Sequence, residues 1–216
     1  MLSFIHRVVN YLLDFVLPRC CLGCGASGIE LCDHCLDDLP IAGEVESGIW
    51  SLYYYQTPVV KSAIWQLKYR GARSIGSRLG QELYRQFSPY LNLAVGETAL
   101  VVPVPLSRRR FRERGFNQAA VLACAFAEMD SNRLNFNDQI LIKARDTATQ
   151  VSIRSRATRL ANLKKAFAAR SGQKIAGRKI ILIDDVTTTG GTINEAKRAL
   201  RRAGAKAVSA LTIAHG

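Results

Sequence analysis

The sequence predicts an α/β protein: a parallel sheet with helices on both faces, preceded by a small cysteine-rich module. Three observations carry that prediction. Strand-like apolar runs alternate with helix-like segments through the second half of the chain. One of those runs, Ile180–Ile183, is apolar at four consecutive positions, as in a strand buried on both faces of a parallel sheet. Five of the six cysteines fall within Cys20–Cys35.

The 216 residues leave room for one substantial domain and an appendage. With 48% apolar and 22% charged residues the composition is that of an ordered globular protein. The expected division is residues 1–17, 18–48 and 49–216. In the first part Leu2, Ile5, Val9, Leu12, Leu13 and Val16 follow helical spacing. His6, Arg7, Asn10 and Asp14 interrupt the stretch, and no small-residue cleavage site follows, which argues against a signal peptide. An amphipathic helix packed on the protein is expected, with membrane-surface binding as the alternative. No apolar run reaches the ~18–20 residues of a transmembrane span. With no secretory signal, a cytoplasmic location is expected.

The second part reads L-P-R-C-C-L-G-C-G-A-S-G-I-E-L-C-D-H-C from Leu17. Cys21-x2-Cys24 and Cys32-x2-Cys35 are two knuckles separated by seven residues. Four thiolates at this spacing suit tetrahedral Zn²⁺ in a structural ribbon, with no open position for chemistry. Cys20 is an extra thiol able to replace Cys21, and Cys21 is preferred because it makes the knuckles identical. A disulfide pair is the rival reading and needs an oxidising compartment.

In the third part the expected elements are, in order, a helix over Val59–Gln66, a strand over Leu100–Val104 and a helix over Phe116–Glu128. A strand over Gln139–Lys143 and a helix over Arg154–Phe167 follow. A strand over Lys179–Asp184, a helix over Gly190–Ala203 and a closing strand over Val208–Ala214 complete the domain. Gly204 stands where helices commonly end. Cys124, in A-A-V-L-A-C-A-F-A, is expected to be a buried inert thiol.

Charge is unevenly placed along the chain. Residues 20–60 hold six acids and no Lys or Arg, whereas residues 61–216 hold 28 Lys/Arg against 10 Asp/Glu, a balance of +18. A polyanionic substrate or nucleic acid accounts for such an excess. The densest cluster follows V-P-V-P-L: Ser107, then Arg108, Arg109, Arg110, Arg112 and Arg114. Guanidiniums grip a pyrophosphate bidentately and a nucleic-acid backbone equally well. Lys68, in L-K-Y-R-G, adds a cation, and Arg145 and Gln150 lie on a polar connection placed as a mobile lid would be.

The most informative segment is I-I-L-I-D-D-V-T-T-T-G-G-T, Ile180–Thr192. A buried strand runs into Asp184 and Asp185, then into hydroxyls and glycines that open a helix. Ligands of open α/β sheets bind at such strand ends, and free N–H groups at a helix start favour an anion. The segment lacks the Gly-Lys pair of a Walker A loop and the G-x-G-x-x-G of a dinucleotide site. A phosphate beside two carboxylates that want hydroxyls or a metal ion describes a sugar phosphate.

This segment resembles the signature loop of type I phosphoribosyltransferases, which bind phosphoribosyl pyrophosphate (PRPP) with Mg²⁺. The resemblance implies that Asp184 and Asp185, the candidate catalytic pair, hold the ribose hydroxyls. It implies that Thr187, Thr188, Thr189, Gly190, Gly191 and Thr192 bind PRPP, with the 5-phosphate in the loop. The cysteine module, L-K-Y-R-G, V-P-V-P-L, R-E-R-G-F-N-Q, R-D-T-A-T-Q, R-L-A-N and the signature loop occur in the order seen in the ComF competence family. That resemblance implies the type I phosphoribosyltransferase fold behind a small zinc ribbon, and a role in handling incoming single-stranded DNA alongside competence machinery proteins. A non-catalytic PRPP-sensing or DNA-binding protein on the same fold is the alternative.

Overall fold

The computed structural model describes residues 19–144, 166–170 and 174–216. The helix expected over 1–17, Arg145, Gln150 and most of the helix expected over 154–167 lie outside the described residues. The chain divides into two compact units, Met1–Pro40 and Ile41–Gly216.

In the front unit the first knuckle closes through Cys21 N–H donating to Ala26 O at 2.8 Å and Gly25 N–H donating to Cys21 O at 2.9 Å. Gly25 takes φ +75°, a left-handed turn that glycine adopts without a Cβ penalty. The second knuckle opens a short helix, α1 (Asp33–Asp37). Leu31 and Leu36 are its buried apolar side chains, together with Cys21.

The main unit begins with a hairpin, β1 (Ile41–Glu46) and β2 (Ile49–Tyr54), which leads into helices α2 (Pro58–Tyr69) and α3 (Arg73–Phe87). Strand β3 (Ala99–Pro103), helices α4 (Arg108–Arg114) and α5 (Gln118–Glu128), and strand β4 (Leu134–Phe136) follow. Next come β5 (Leu141–Lys143), β6 (Phe167–Ala169), β7 (Lys179–Thr187), α6 (Gly191–Arg202) and β8 (Ala207–His215). One sheet runs β1-β2-β8-β7-β3-β4. Only its β1–β2 pairing is antiparallel; β2–β8, β8–β7, β7–β3 and β3–β4 are parallel. Ile180, Ile181, Leu182 and Ile183 are all buried, as expected of a strand covered on both faces.

Three expectations need correction. The strand over Val208–Ala214 does not close the sheet; β8 lies inside it, because the unforeseen β2 pairs along its free edge. The strand expected over Gln139–Lys143 shortens to Leu141–Lys143 and leaves the parallel sheet, pairing antiparallel with β6. Phe167, expected to end a helix, begins that partner strand, where its ring is buried and capped by the Lys143 ammonium at 5.7 Å. Cys124 also differs from expectation: it is half-buried, and its Sγ lies 3.3 Å from Glu128 Oε1. Burial first, and then that carboxylate, push the thiol's pKa up, so it is a poor nucleophile.

Helix α3 packs against α5 at unusually close range. A Cβ on Gly80 would lie 2.4 Å from Leu122 O, and one on Gly76 would lie 2.8 Å from Val121 Cγ1. This contact seats α5 beside β3 and β7, and it fixes where the loop ahead of α5 meets the strand ends.

Candidate functional site

The site gathers at the carboxyl end of β7. Strand pairing continues past the apolar run, with Asp184 opposite Thr212 and Thr187 opposite His215, so both aspartates are held by the sheet rather than by a loop. Adjacent residues of a strand point to opposite faces. The two carboxylates therefore have different neighbours. Asp185 Oδ2 pairs with Lys68 Nζ at 3.1 Å, and both side chains are largely buried. Asp184 Oδ1 accepts the Asp185 backbone N–H at 2.8 Å. Burial first and the Asp185 charge second push the Asp184 carboxyl up to about 7, and Lys68 and Arg110 act in the opposite direction.

Thr187 is buried at the end of β7, and its carbonyl accepts the Gly216 N–H at 3.0 Å. Thr188 and Thr189 are exposed in the turn that follows. Gly190 caps α6 in a left-handed conformation, φ +64°. A Cβ there would overlap Glu46 Oε2, the end of an exposed side chain that would have to swing aside, so the left-handed backbone is what favours glycine. Gly191 and Thr192 form the first turn of α6, whose unpaired N–H groups give an anion-binding end to a helix of 12 residues. Asn194 N–H closes the turn on Gly190 O at 2.8 Å.

Glu46 and Asn194 are site neighbours that sequence reasoning missed. Asn194 Nδ2 donates to Glu46 Oε1 at 2.9 Å, across 148 positions of sequence. Lys197, also on α6, donates to the carbonyls of Ser47 and Gly48 at 3.2 Å each. Together these contacts clasp the β1–β2 turn against the start of α6. No local signal marks them, because the pairing exists only once β2 has joined β8.

The arginine cluster folds into α4, which sorts its five guanidiniums. Arg109 Nε pairs with Glu113 Oε1 at 2.7 Å. Arg110 is exposed, and its charge opposes the rise at Asp184. Arg114 lies over the Tyr69 ring, its Cζ 5.5 Å from the centroid. Arg108 and Arg112 are exposed. Ser107 is committed to the helix start, its Oγ accepting the Arg110 N–H at 3.2 Å. Asn117, inside R-G-F-N-Q, does two jobs: Oδ1 accepts the Ala119 N–H at 3.2 Å and Nδ2 donates to Val104 O at 3.1 Å. Val104 N–H in turn donates to Ile183 O at 2.9 Å, so the exits of β3 and β7 are tied together.

The front unit holds the second constellation. The sulfurs of Cys21, Cys24, Cys32 and Cys35 all lie within 4.8 Å of one another. The Cys21–Cys32 and Cys24–Cys32 separations are 3.6 and 3.7 Å. A tetrahedron with Zn–S bonds of about 2.3 Å has edges of about 3.8 Å, so the thiol set can hold zinc. Cys20 is exposed outside this set. The thiols share charge unevenly: burial raises Cys21, but N–H groups of Cys24, Cys32 and Gly23 outweigh it and bring Cys21 down to about 6, while hydrogen bonding with Cys32 pushes Cys35 up to about 12.

Among the described residues no helix is long and apolar enough to cross a membrane. Residues 116–216 match the phosphoribosyl transferase domain. Over 196 residues the chain is 32% identical to DNA utilization protein YhgH of Salmonella typhi, covering 88% of this chain and 80% of that protein. It is 36% identical over 110 residues to competence protein F of Haemophilus influenzae, covering 50% and 46%. It is 30% identical over 165 residues to competence protein ComFC of Bacillus subtilis, covering 76% and 62%.

Proposed function

Because the chain belongs to the ComF competence family and carries a phosphoribosyltransferase domain, we propose that it binds PRPP with Mg²⁺ while incoming DNA is handled. The observation that carries this reading is the strand end: two sheet-held carboxylates run through a turn of three residues into the start of α6. Asp184 and Asp185 accept the ribose hydroxyls, and the N–H groups and hydroxyls of Thr188–Thr192 take the 5-phosphate. Lys68, which pairs with Asp185, and Arg110 are the cations assigned to the pyrophosphate. Arg145 and Gln150 are assigned to the lid by their sequence alone.

The reaction available to such a site is transfer at C1 of the ribose. The C1–O bond to pyrophosphate breaks, the departing oxygen keeps the electron pair, and a nitrogen acceptor forms the C1–N bond. Fixed cations lower the barrier by meeting charge as it develops. Mg²⁺, when bound with PRPP, neutralises the pyrophosphate further.

Isothermal titration with PRPP tests the reading. Wild type should require Mg²⁺, and Asp184→Ala/Asp185→Ala should weaken binding by about two orders of magnitude or more, at roughly 1.5–3 kcal/mol for each charged hydrogen bond. Equal affinity in the double variant rules the assignment out. Pyrophosphate release with a panel of bases then separates an enzyme from a PRPP sensor.

A second reading, DNA binding without turnover on the same fold, draws on the +18 balance of residues 61–216 and on the names of the relatives. Single strands are favoured over duplex because the sequence carries no groove-reading motif.

The cysteine set is assigned one structural Zn²⁺. Elemental analysis should give about one zinc per chain, and a strong chelator should lower the melting temperature, because metal binding energy is folding energy for so small a unit. Zinc-free protein with Cys21–Cys35 oxidised contradicts this.

A further inference from the structure

Helix α2 carries two exposed aromatic rings on the side opposite its core. Val60, Ala63, Ile64 and Leu67 are buried, whereas Trp65 is 48% and Tyr69 64% exposed. Their ring centroids are 5.9 Å apart. Cations cover them: Arg70 Cζ lies 5.3 Å from the Trp65 ring and Arg114 Cζ 5.5 Å from the Tyr69 ring. Alongside, Arg73 Cζ lies 5.0 Å from the Phe116 ring, and a Cβ on Gly71 would be 4.0 Å from Phe116 Cε1. Two large rings on a solvent face contribute little to packing. Lys68, one residue before Tyr69, reaches Asp185, so the array shares the last turn of α2 with the carboxylate site.

We propose that Trp65 and Tyr69, with Arg70 and Arg114 over them and Arg73–Phe116 beside them, form a stacking surface for the unpaired bases of a single-stranded nucleic acid. This rests on the DNA-binding reading and says where the bases go. A planar guanidinium on a ring is a layered arrangement that a flat base extends, while the guanidinium edge reaches backbone phosphate. A duplex hides its base faces, and the carboxylates of an acidic peptide offer no ring face to add to the stack. A lipid surface favours aliphatic side chains at the centre of a patch, where this one has rings with cations on their faces.

The test uses the full chain, fluorescence anisotropy, labelled oligothymidylate and an abasic strand of equal length and charge. Wild type should bind oligothymidylate at least ten-fold more tightly than the abasic strand. Trp65→Ala/Tyr69→Ala should bind both strands alike, with an unchanged salt slope, melting temperature and PRPP affinity. Trp65→Phe should retain the preference for bases. Arg114→Ala should reduce the slope of log affinity against log salt by about 0.7 for each phosphate that Arg114 neutralises. Equal wild-type affinity for the two strands, a double variant that keeps the preference, or polyglutamate bound as tightly as oligothymidylate overturns the proposal. Wild type that binds neither strand overturns the DNA-binding reading with it and leaves the PRPP reading standing.

Discussion

The two ends of β7 treat carboxylates in opposite ways. At its start Lys179 Nζ lies 2.7 Å from Glu97 Oε2, and Lys206 Nζ lies 3.2 Å from Glu97 Oε1. The Lys179 contact first, then the Ala94 N–H, hold Glu97 down at about 2. Lys179 also donates to Asn92 O, so this end is a closed lock. At the other end burial and a like charge raise Asp184 to about 7, while Lys68 is paired to the neighbouring Asp185. One end satisfies its charge within the fold. The other carries negative charge that the fold leaves undercompensated, which is the condition of a site awaiting hydroxyls and a cation.

The largest disruption expected at the open end is Gly190→Ala. A left-handed non-glycine residue costs about 1–2 kcal/mol from the backbone alone, and the new Cβ overlaps Glu46 Oε2. Denaturant unfolding should show that loss or more, with PRPP affinity falling by ten-fold or more as the turn moves. Adding Glu46→Ala should relieve the overlap and leave the backbone cost. Full recovery by Glu46→Ala would mean that the left-handed backbone is not what requires glycine.

Asp184→Asn should raise stability at pH 8, seen as a higher melting temperature, because it removes a carboxylate that the fold holds ionised at a cost. A carboxyl whose folded pKa is raised binds more protons folded than unfolded, so it lowers stability as pH climbs from about 4 to about 7. The variant should flatten that fall while losing PRPP binding. Melting curves across this range that match wild type would mean Asp184 is not destabilised in the fold.

Glu97→Gln should act with the opposite sign and the smallest effect. A carboxyl held at about 2 contributes stability present above about pH 4–5 and lost as pH falls toward 2. The variant should be less stable at pH 7 and lose the acid limb, with PRPP affinity intact. Acid titrations superimposable on wild type would remove the lock.

What is legible in the sequence follows locality. The strand Lys179–Asp184 and helix Gly190–Ala203 are readable because their apolar runs and glycines are local signals, and the structure gives β7 and α6 within a few residues. The sheet extends the strand to Thr187, since β8 offers pairing partners as far as His215. The β1–β2 hairpin is not readable in this way: β1 has no buried residue, and β2 finds its parallel partner only at the far end of the chain. Helix α3, absent from the expected elements, does carry a local signal, with Ile75, Leu79, Leu83 and Phe87 at spacings of four. For the site, residue types point to Asp184, Asp185 and Lys68. That Lys68 meets Asp185, that Asn194 meets Glu46 and that Arg114 leaves its cluster for Tyr69 are tertiary facts with no local trace.

Thermal unfolding of wild type, Glu97→Gln and Asp184→Asn/Asp185→Asn, each with and without PRPP and Mg²⁺, tests the contrast between the ends of β7 most directly. A ligand at a hundred times its dissociation constant stabilises the folded state by about 2.7 kcal/mol. Wild type and Glu97→Gln should shift upward by equal amounts from different baselines, and the double aspartate variant should not shift. A ligand shift of wild-type size in the double aspartate variant would contradict the account.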